Sequence, residues 1–190
     1  MVSNEQSGPL IVQGDSSILL DVHHPSAEEA RSDIGPFSEL EKSPEHMHTY
    51  RITPLSVWNA ASAGYDAEEV VGKLSAWSKF AVPENVNYFI YDTMERYGKL
   101  SLEQRDGEER RLFLRVNDEA VRTEIEYNRR AMKYLSPAEG GFLVDLLDRG
   151  TIKQVLIKAG YPVRDEAPLK KGASLELQLR ENTGDGYRFH

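Results

Sequence analysis

The chain is 190 residues long, 39% hydrophobic and 28% charged, with no cysteine and a formal net charge of −8. That length can bury a core, as one domain or two small ones, while the missing thiols exclude disulfides and cysteine-ligated metals. The acidity argues against nucleic-acid binding through the whole surface, and no apolar run approaches the length that spans a bilayer.

In chain order, residues 1–8 are polar, carry no secretory pattern and read as a flexible leader. Residues 10–12 and 18–22 are short apolar runs around Gln13-Gly14-Asp15-Ser16-Ser17, which predicts a hairpin. Ser26 with Glu29 has the spacing of a capping box, for a helix running to about Lys42. Gly35-Pro36 should kink or split that helix, because proline donates no hydrogen bond and crowds the preceding turn.

Thr53, with Pro54 at the first helical position, opens the next helix; Leu55, Trp58 and Ala61 share a face and Gly64 stops it. Asp66 and Glu69 form a second capping box, followed by the apolar stripe Ala67, Val70, Val71, Leu74 and Trp77. Pro83 opens a third helix, with Val86, Phe89, Ile90, Met94 and Tyr97 on one side and Gly98 at its end. Residues 99–102 and 112–116, with Asp106-Gly107 between them, read as a hairpin. Three helices followed by a hairpin is the layout of a winged helix.

Residues 119–135 predict a helix with Val121, Ile125 and Met132 inward, ended by the breakers Ser136-Pro137 and Gly140-Gly141. Residues 142–145 read as a strand, and residues 149–159 as a helix with Ile152, Val155 and Leu156 on one face, stopped by Gly160. Beyond a loop at Lys170-Lys171-Gly172, Leu175, Leu177 and Leu179 alternate as a strand does. The expected fold class is α+β: a β-hairpin and helix (1–48), a winged helix (49–118), a small α/β unit (119–172), and a last strand (173–190).

The stretch H-M-H-T-Y-R-I-T-P-L-S-V-W-N-A-A-S-A-G, then V-P-E-N-V, then M-E-R-Y-G-K-L, resembles the N-terminal region of XPB-type DNA repair helicases. P-L-I-V-Q-G-D-S-S-I-L-L-D-V and H-P-S-A-E-E-A-R upstream, and R-G-T-I-K-Q-V-L-I-K-A-G-Y-P-V downstream, are similar to that family too, especially its bacterial members. The resemblance implies a non-catalytic N-terminal module of an ATP-dependent 3′-to-5′ DNA helicase. Residues 119–172 would correspond to its damage-recognition domain, and the closing G-D-G-Y-R-F-H to the approach to the motor. The implied partners are the motor domains of the same polypeptide, forked or damaged DNA, and a repair nuclease or a transcription/repair protein. ATP and magnesium would belong to the motor, no membrane is involved, and the implied location is the bacterial cytoplasm, at the nucleoid.

The residues themselves carry little chemistry. There is no G-x-x-x-x-G-K-[ST] phosphate loop, since Gly72-Lys73 is followed by leucine, and no D-E-x-H pair for magnesium. This chain alone is therefore not expected to hydrolyse ATP, and it offers no catalytic or cofactor-binding residue. His46 and His48 would need a further ligand to hold a metal, and His23-His24 are the nearest candidates. A structural histidine pair is the simpler expectation. Trp58 and Trp77 sit on apolar helical faces and read as core rather than as base-stacking platforms.

The third helix carries Glu84, Asp92 and Glu95 against Arg96 alone, which would repel phosphate and suits protein binding better. Residues 1–120 hold 11 Lys and Arg against 21 Asp and Glu, whereas residues 121–190 hold 12 against 10, so DNA contacts are expected in the last third. The candidates are Arg129, Arg130, Lys133, Lys153 and Lys158, with Glu124 and Glu126 partly neutralising the first group. A solvated face is the competing explanation. The alternative function is a free-standing winged-helix adaptor that binds protein. A transcription regulator reading DNA through the third helix is disfavoured by that helix's acidity.

Overall fold

The computed structural model describes residues 7–169. The expected strand around Leu175–Leu179 and the closing segment lie outside the described residues.

The first half builds a four-stranded antiparallel sheet from β1 (Leu10–Val12), β2 (Ser17–Asp21), β3 (Glu39–Lys42) and β4 (Met47–Arg51), in the order β1-β2-β4-β3. Four helices accompany it: α1 (Ala27–Ile34), α2 (Pro54–Ser62), α3 (Ala67–Trp77) and α4 (Glu84–Glu95). Leu10, Ile18 and Leu20 of the sheet share one core with Ile34, Phe37, Val57, Val70, Leu74, Val86 and Ile90. The two expected helix starts at Thr53 and Asp66 form complete capping boxes, with Ser56 as the reciprocal partner of Thr53 and Glu69 that of Asp66. Each satisfies donors that the first helical turn would otherwise leave orphaned. Trp58 is buried and its indole N–H donates to the Thr93 carbonyl at 2.9 Å, tying α2 to α4.

The second half is a five-stranded sheet in the order β7-β8-β6-β5-β9. Its strands are β5 (Leu100–Glu103), β6 (Arg111–Val116), β7 (Leu135–Ala138), β8 (Gly141–Asp145) and β9 (Val163–Asp165), antiparallel except that β9 runs parallel to β5. Three helices, α5 (Glu119–Tyr127), α6 (Arg129–Met132) and α7 (Arg149–Lys158), complete this half. Strand alternation sorts the sheet: Leu100, Leu102, Leu112, Leu114, Phe142 and Val144 join Val121, Ile125, Ile152 and Leu156 in a second core. Phe113 points to the opposite face, where the Arg105 guanidinium covers it 3.3 Å from the ring centroid.

Several expectations need correction. The helix breaks at Gly35-Pro36 as expected, but it does not resume to Lys42: α1 stops at Ile34, Gly35–Phe37 is a 3-10 turn that buries Phe37, and Lys42 lies in β3. Pro36 cannot continue the helical bonding, and Ser38 closes the end by donating its hydroxyl to the Ile34 carbonyl at 2.6 Å. Ser26 precedes that helix but caps nothing through its side chain. Leu55, expected to share a face with Trp58 and Ala61, is 54% exposed while Trp58 is buried.

The helix predicted over residues 119–135 breaks at Asn128, whose φ of −82° and ψ of 99° are not helical. Its Oδ1 accepts from the N–H groups of Arg130 and Ala131 and starts α6 afresh. Ser136-Pro137, read as a breaker, belongs to β7, where proline is tolerated because β7 is an edge strand.

The hairpin expected to complete a winged helix forms, but not against α2, α3 and α4. Its strands β5 and β6 pair outward with β9 and β8, and their apolar face enters the second core. The three helices instead share the first core with the four-stranded sheet. The described residues therefore form a mixed α+β structure with two sheets and seven α-helices.

Candidate nucleic-acid interface

The five cations singled out in the sequence do not behave alike. Arg129 and Arg130 lie on α6, Lys133 follows it directly, and Lys158 closes α7, against which α6 packs. All four are exposed, and none has a carboxylate within ion-pair distance among the described residues. The break at Asn128 gives Arg129 and Arg130 a helix of their own, off the line of α5.

Lys153 differs. Its Nζ lies 2.9 Å from Asp165 Oδ2, and Arg149 grips the same carboxylate at 2.7 and 2.6 Å while also donating to the Ala167 carbonyl at 2.6 Å. Burial pushes the Asp165 carboxyl up, but the hydrogen bonds from Arg149 and Lys153 outweigh it and hold the group below the usual carboxylate value. Arg149 is raised in turn, chiefly by its bond to Asp165. Lys153 thus belongs to a clamp between α7 and β9. Sequence reasoning missed this because Asp165 lies on a strand whose pairing with β5 is non-local.

Between α5 and α7 opens a cavity of about 440 Å³, walled by Ile125, Leu156, Ala159 and Tyr161 and edged by Thr123, Glu124, Tyr127 and Asn128. Tyr127 is 83% exposed at its mouth. The Tyr161 phenol is pushed up to about 12, first by burial and then by the Glu124 carboxylate beside it. A second groove of about 510 Å³ runs between α2, α4 and α7, lined by Leu55, Trp58, Phe89 and Ile157 with Arg96 and Lys158 at its edge. The Arg96 guanidinium lies 5.3 Å from the Tyr161 ring centroid, so both openings meet at the start of the loop after α7.

At the end of α4, Arg96 pairs with Asp92, 3.4 Å away, leaving Glu84 and Glu95 on a helix that also exposes the rings of Tyr88 and Tyr91. The histidines also pair internally. His23 Nε2 and His46 Nδ1 are 2.8 Å apart in a hydrogen bond, and Arg31 Nη2 lies 3.2 Å from His48 Nδ1. Among the described residues no group of three or more His, Asp or Glu gathers closely enough to hold a metal ion. Nor, among them, is any helix long and apolar enough to cross a membrane.

Residues 10–138 match the family described as helicase conserved C-terminal domain. The chain belongs to this family. It is 45% identical over 177 residues to a DNA 3′-5′ helicase XPB of Kineococcus radiotolerans, covering 92% of this chain and 31% of that protein. It is 43% identical over 176 residues to the DNA 3′-5′ helicase XPB of Mycobacterium tuberculosis, covering 92% and 32%. A general transcription and DNA repair factor IIH helicase/translocase subunit XPB of Enterocytozoon bieneusi is 27% identical over 167 residues, covering 87% and 27%. The chain is thus an XPB-type helicase region, and it spans about a third of the length of the curated bacterial relatives it matches. Within this region, Arg129, Arg130 and Lys133 fall inside the family match and Lys153 and Lys158 beyond it.

Proposed function

We propose that this chain is the non-catalytic module of an XPB-type ATP-dependent 3′-to-5′ DNA helicase, which docks partners and aligns DNA with the motor during repair. The observation that carries the reading is the group of exposed cations Arg129, Arg130, Lys133 and Lys158 on adjoining helices of an otherwise acidic protein, none with a carboxylate partner among the described residues. Such a group supplies phosphate affinity without a catalytic site. We place the motor, with its ATP and magnesium, elsewhere in a longer polypeptide, and the module ahead of it, as the sequence motifs suggest. The family description speaks of a C-terminal domain, so the order along the parent chain is part of this proposal.

As working units we propose the first core with its sheet and helices, and the second sheet with α5 to α7 as the damage-recognition unit. That division moves the hairpin out of the winged helix assigned to residues 49–118. The acidic face of α4, with Tyr88 and Tyr91 exposed, suits a repair nuclease or a transcription/repair protein better than DNA, and supports the partner-docking part of this reading. The proposed location is the bacterial cytoplasm, at the nucleoid. Fluorescence anisotropy with forked DNA tests the reading. Changing Arg129, Arg130, Lys133 and Lys158 together to alanine should abolish salt-dependent binding, and unchanged affinity would remove the assignment.

A further inference from the structure

We propose that the cavity between α5 and α7 receives an unstacked base of single-stranded DNA, with Tyr127 as its stacking platform and Arg129, Arg130 and Lys158 holding the flanking phosphates. The proposal rests on the DNA-docking reading above and adds a site to it.

Three features converge on this occupant. The first is shape and polarity: the cavity of about 440 Å³ lies within the range of small-ligand sites, and its inner wall is apolar through Ile125 and Leu156, with the exposed Ala159 on its lining. The second is an aromatic ring with nothing against it. Tyr127 is 83% exposed at the cavity's edge, although a tyrosine on an amphipathic helix would gain by turning into the core. The third is charge. Arg129 directly follows the lining residue Asn128, and Lys158 directly precedes the lining residue Ala159 and edges the adjoining groove, so exposed cations, with no carboxylate partner among the described residues, neighbour the lining in sequence on both α6 and α7.

The lining itself carries the opposite sign. Glu124 offers a carboxylate that repels phosphate but accepts an N–H from the edge of a base, and every base presents one. Asn128 spends its Oδ1 on the backbone N–H groups of Arg130 and Ala131, which leaves its amide N–H groups as donors. Thr123 donates its hydroxyl to the Glu119 carbonyl and keeps its oxygen as an acceptor. Acceptors and donors on the lining, with cations on neighbouring residues, fit a nucleotide whose base enters the cavity and whose phosphates stay outside it. Duplex DNA, with its bases stacked, cannot use such a cavity.

The test uses the 190-residue chain and two short single strands of the same length. One has mixed sequence, and the other carries abasic sugars through its central stretch. Anisotropy titration should show the base-bearing strand binding roughly tenfold tighter, the size of one base–aromatic stack. Tyr127→Ala should erase that preference, Tyr127→Phe should keep it, and Ala159→Phe should erase it by filling the cavity without changing charge. Both positions are exposed, so circular dichroism should match the unmodified chain. A preference that survives Tyr127→Ala and Ala159→Phe overturns the proposal. Equal, salt-sensitive binding of both strands overturns the cavity alone, whereas no binding of either strand at low salt overturns the docking reading with it.

Discussion

Asp165→Asn is expected to weaken the second half of the molecule while leaving DNA affinity nearly untouched. The Asp165 carboxylate takes two bonds from Arg149, at 2.6 and 2.7 Å, and one from Lys153, at 2.9 Å, with its side chain only 16% exposed. Charge-assisted bonds of this kind contribute about 1.5–3 kcal/mol each, but the clamp touches solvent and its members are coupled, so the loss should be about 2–3 kcal/mol. For a chain of this size that is a fall in Tm of roughly 4–12 °C.

The pH dependence follows from the direction of the shift. A carboxyl held low in the folded state contributes stability that is fully present above its unfolded value, near about 4, and is lost as pH falls through the lower folded value. Urea titrations at neutral pH should therefore separate the variant from the parent, and titrations well below pH ~4 should bring them together. Lys153→Ala should show a smaller version of the same loss, since Arg149 keeps its two bonds. If Asp165→Asn lies within about 0.5 kcal/mol of the parent at neutral pH, the clamp is decorative and the role assigned to Lys153 is wrong.

Two further changes probe local design. Asn128→Ala removes the side chain that starts α6, and should cost about 1 kcal/mol in a denaturant titration while weakening DNA binding through fraying of α6 and loss of the amide donor at the cavity. Gly141→Ala is expected to be far worse, because a Cβ there would collide with the Leu114 carbonyl across the β6–β8 ladder and cannot be relieved by a rotamer change. Loss of the folded circular dichroism signal, or of soluble protein, is the expected result, and a normal melting curve would contradict it.

How far the sequence could be read follows from the range of each interaction. The caps at Thr53 and Asp66 were legible because their bonds close within three residues. The turn at Asp106-Gly107 was legible for the same reason, Gly107 taking the positive φ of 84° that suits it. The break at Asn128 was hidden because asparagine inside an amphipathic run is compatible with a helix, and only the bonds it makes show that it caps instead. Sheet membership was hidden for a different reason. The pattern of residues 99–116 announces a hairpin but not that its outer edges will pair with β8 and β9, so the grouping with the preceding helices followed sequence order rather than packing. At the candidate site, the charge of Arg129, Arg130, Lys133, Lys153 and Lys158 could be read from the sequence, but not that Lys153 is tied to Asp165. The cavity beside them could not, since Ile125, Leu156 and Ala159 meet only through tertiary packing.

The central claim is that four cations on α6 and α7 bind the DNA backbone. The most direct measurement is the salt dependence of forked-DNA affinity for the parent chain and for the variant with Arg129, Arg130, Lys133 and Lys158 changed to alanine. Each phosphate contact contributes a slope of about −0.7 to −0.9 in log affinity against log salt, so losing four should flatten the slope by roughly 3. Parallel lines with equal intercepts would contradict the account and leave the four residues as a solvated face.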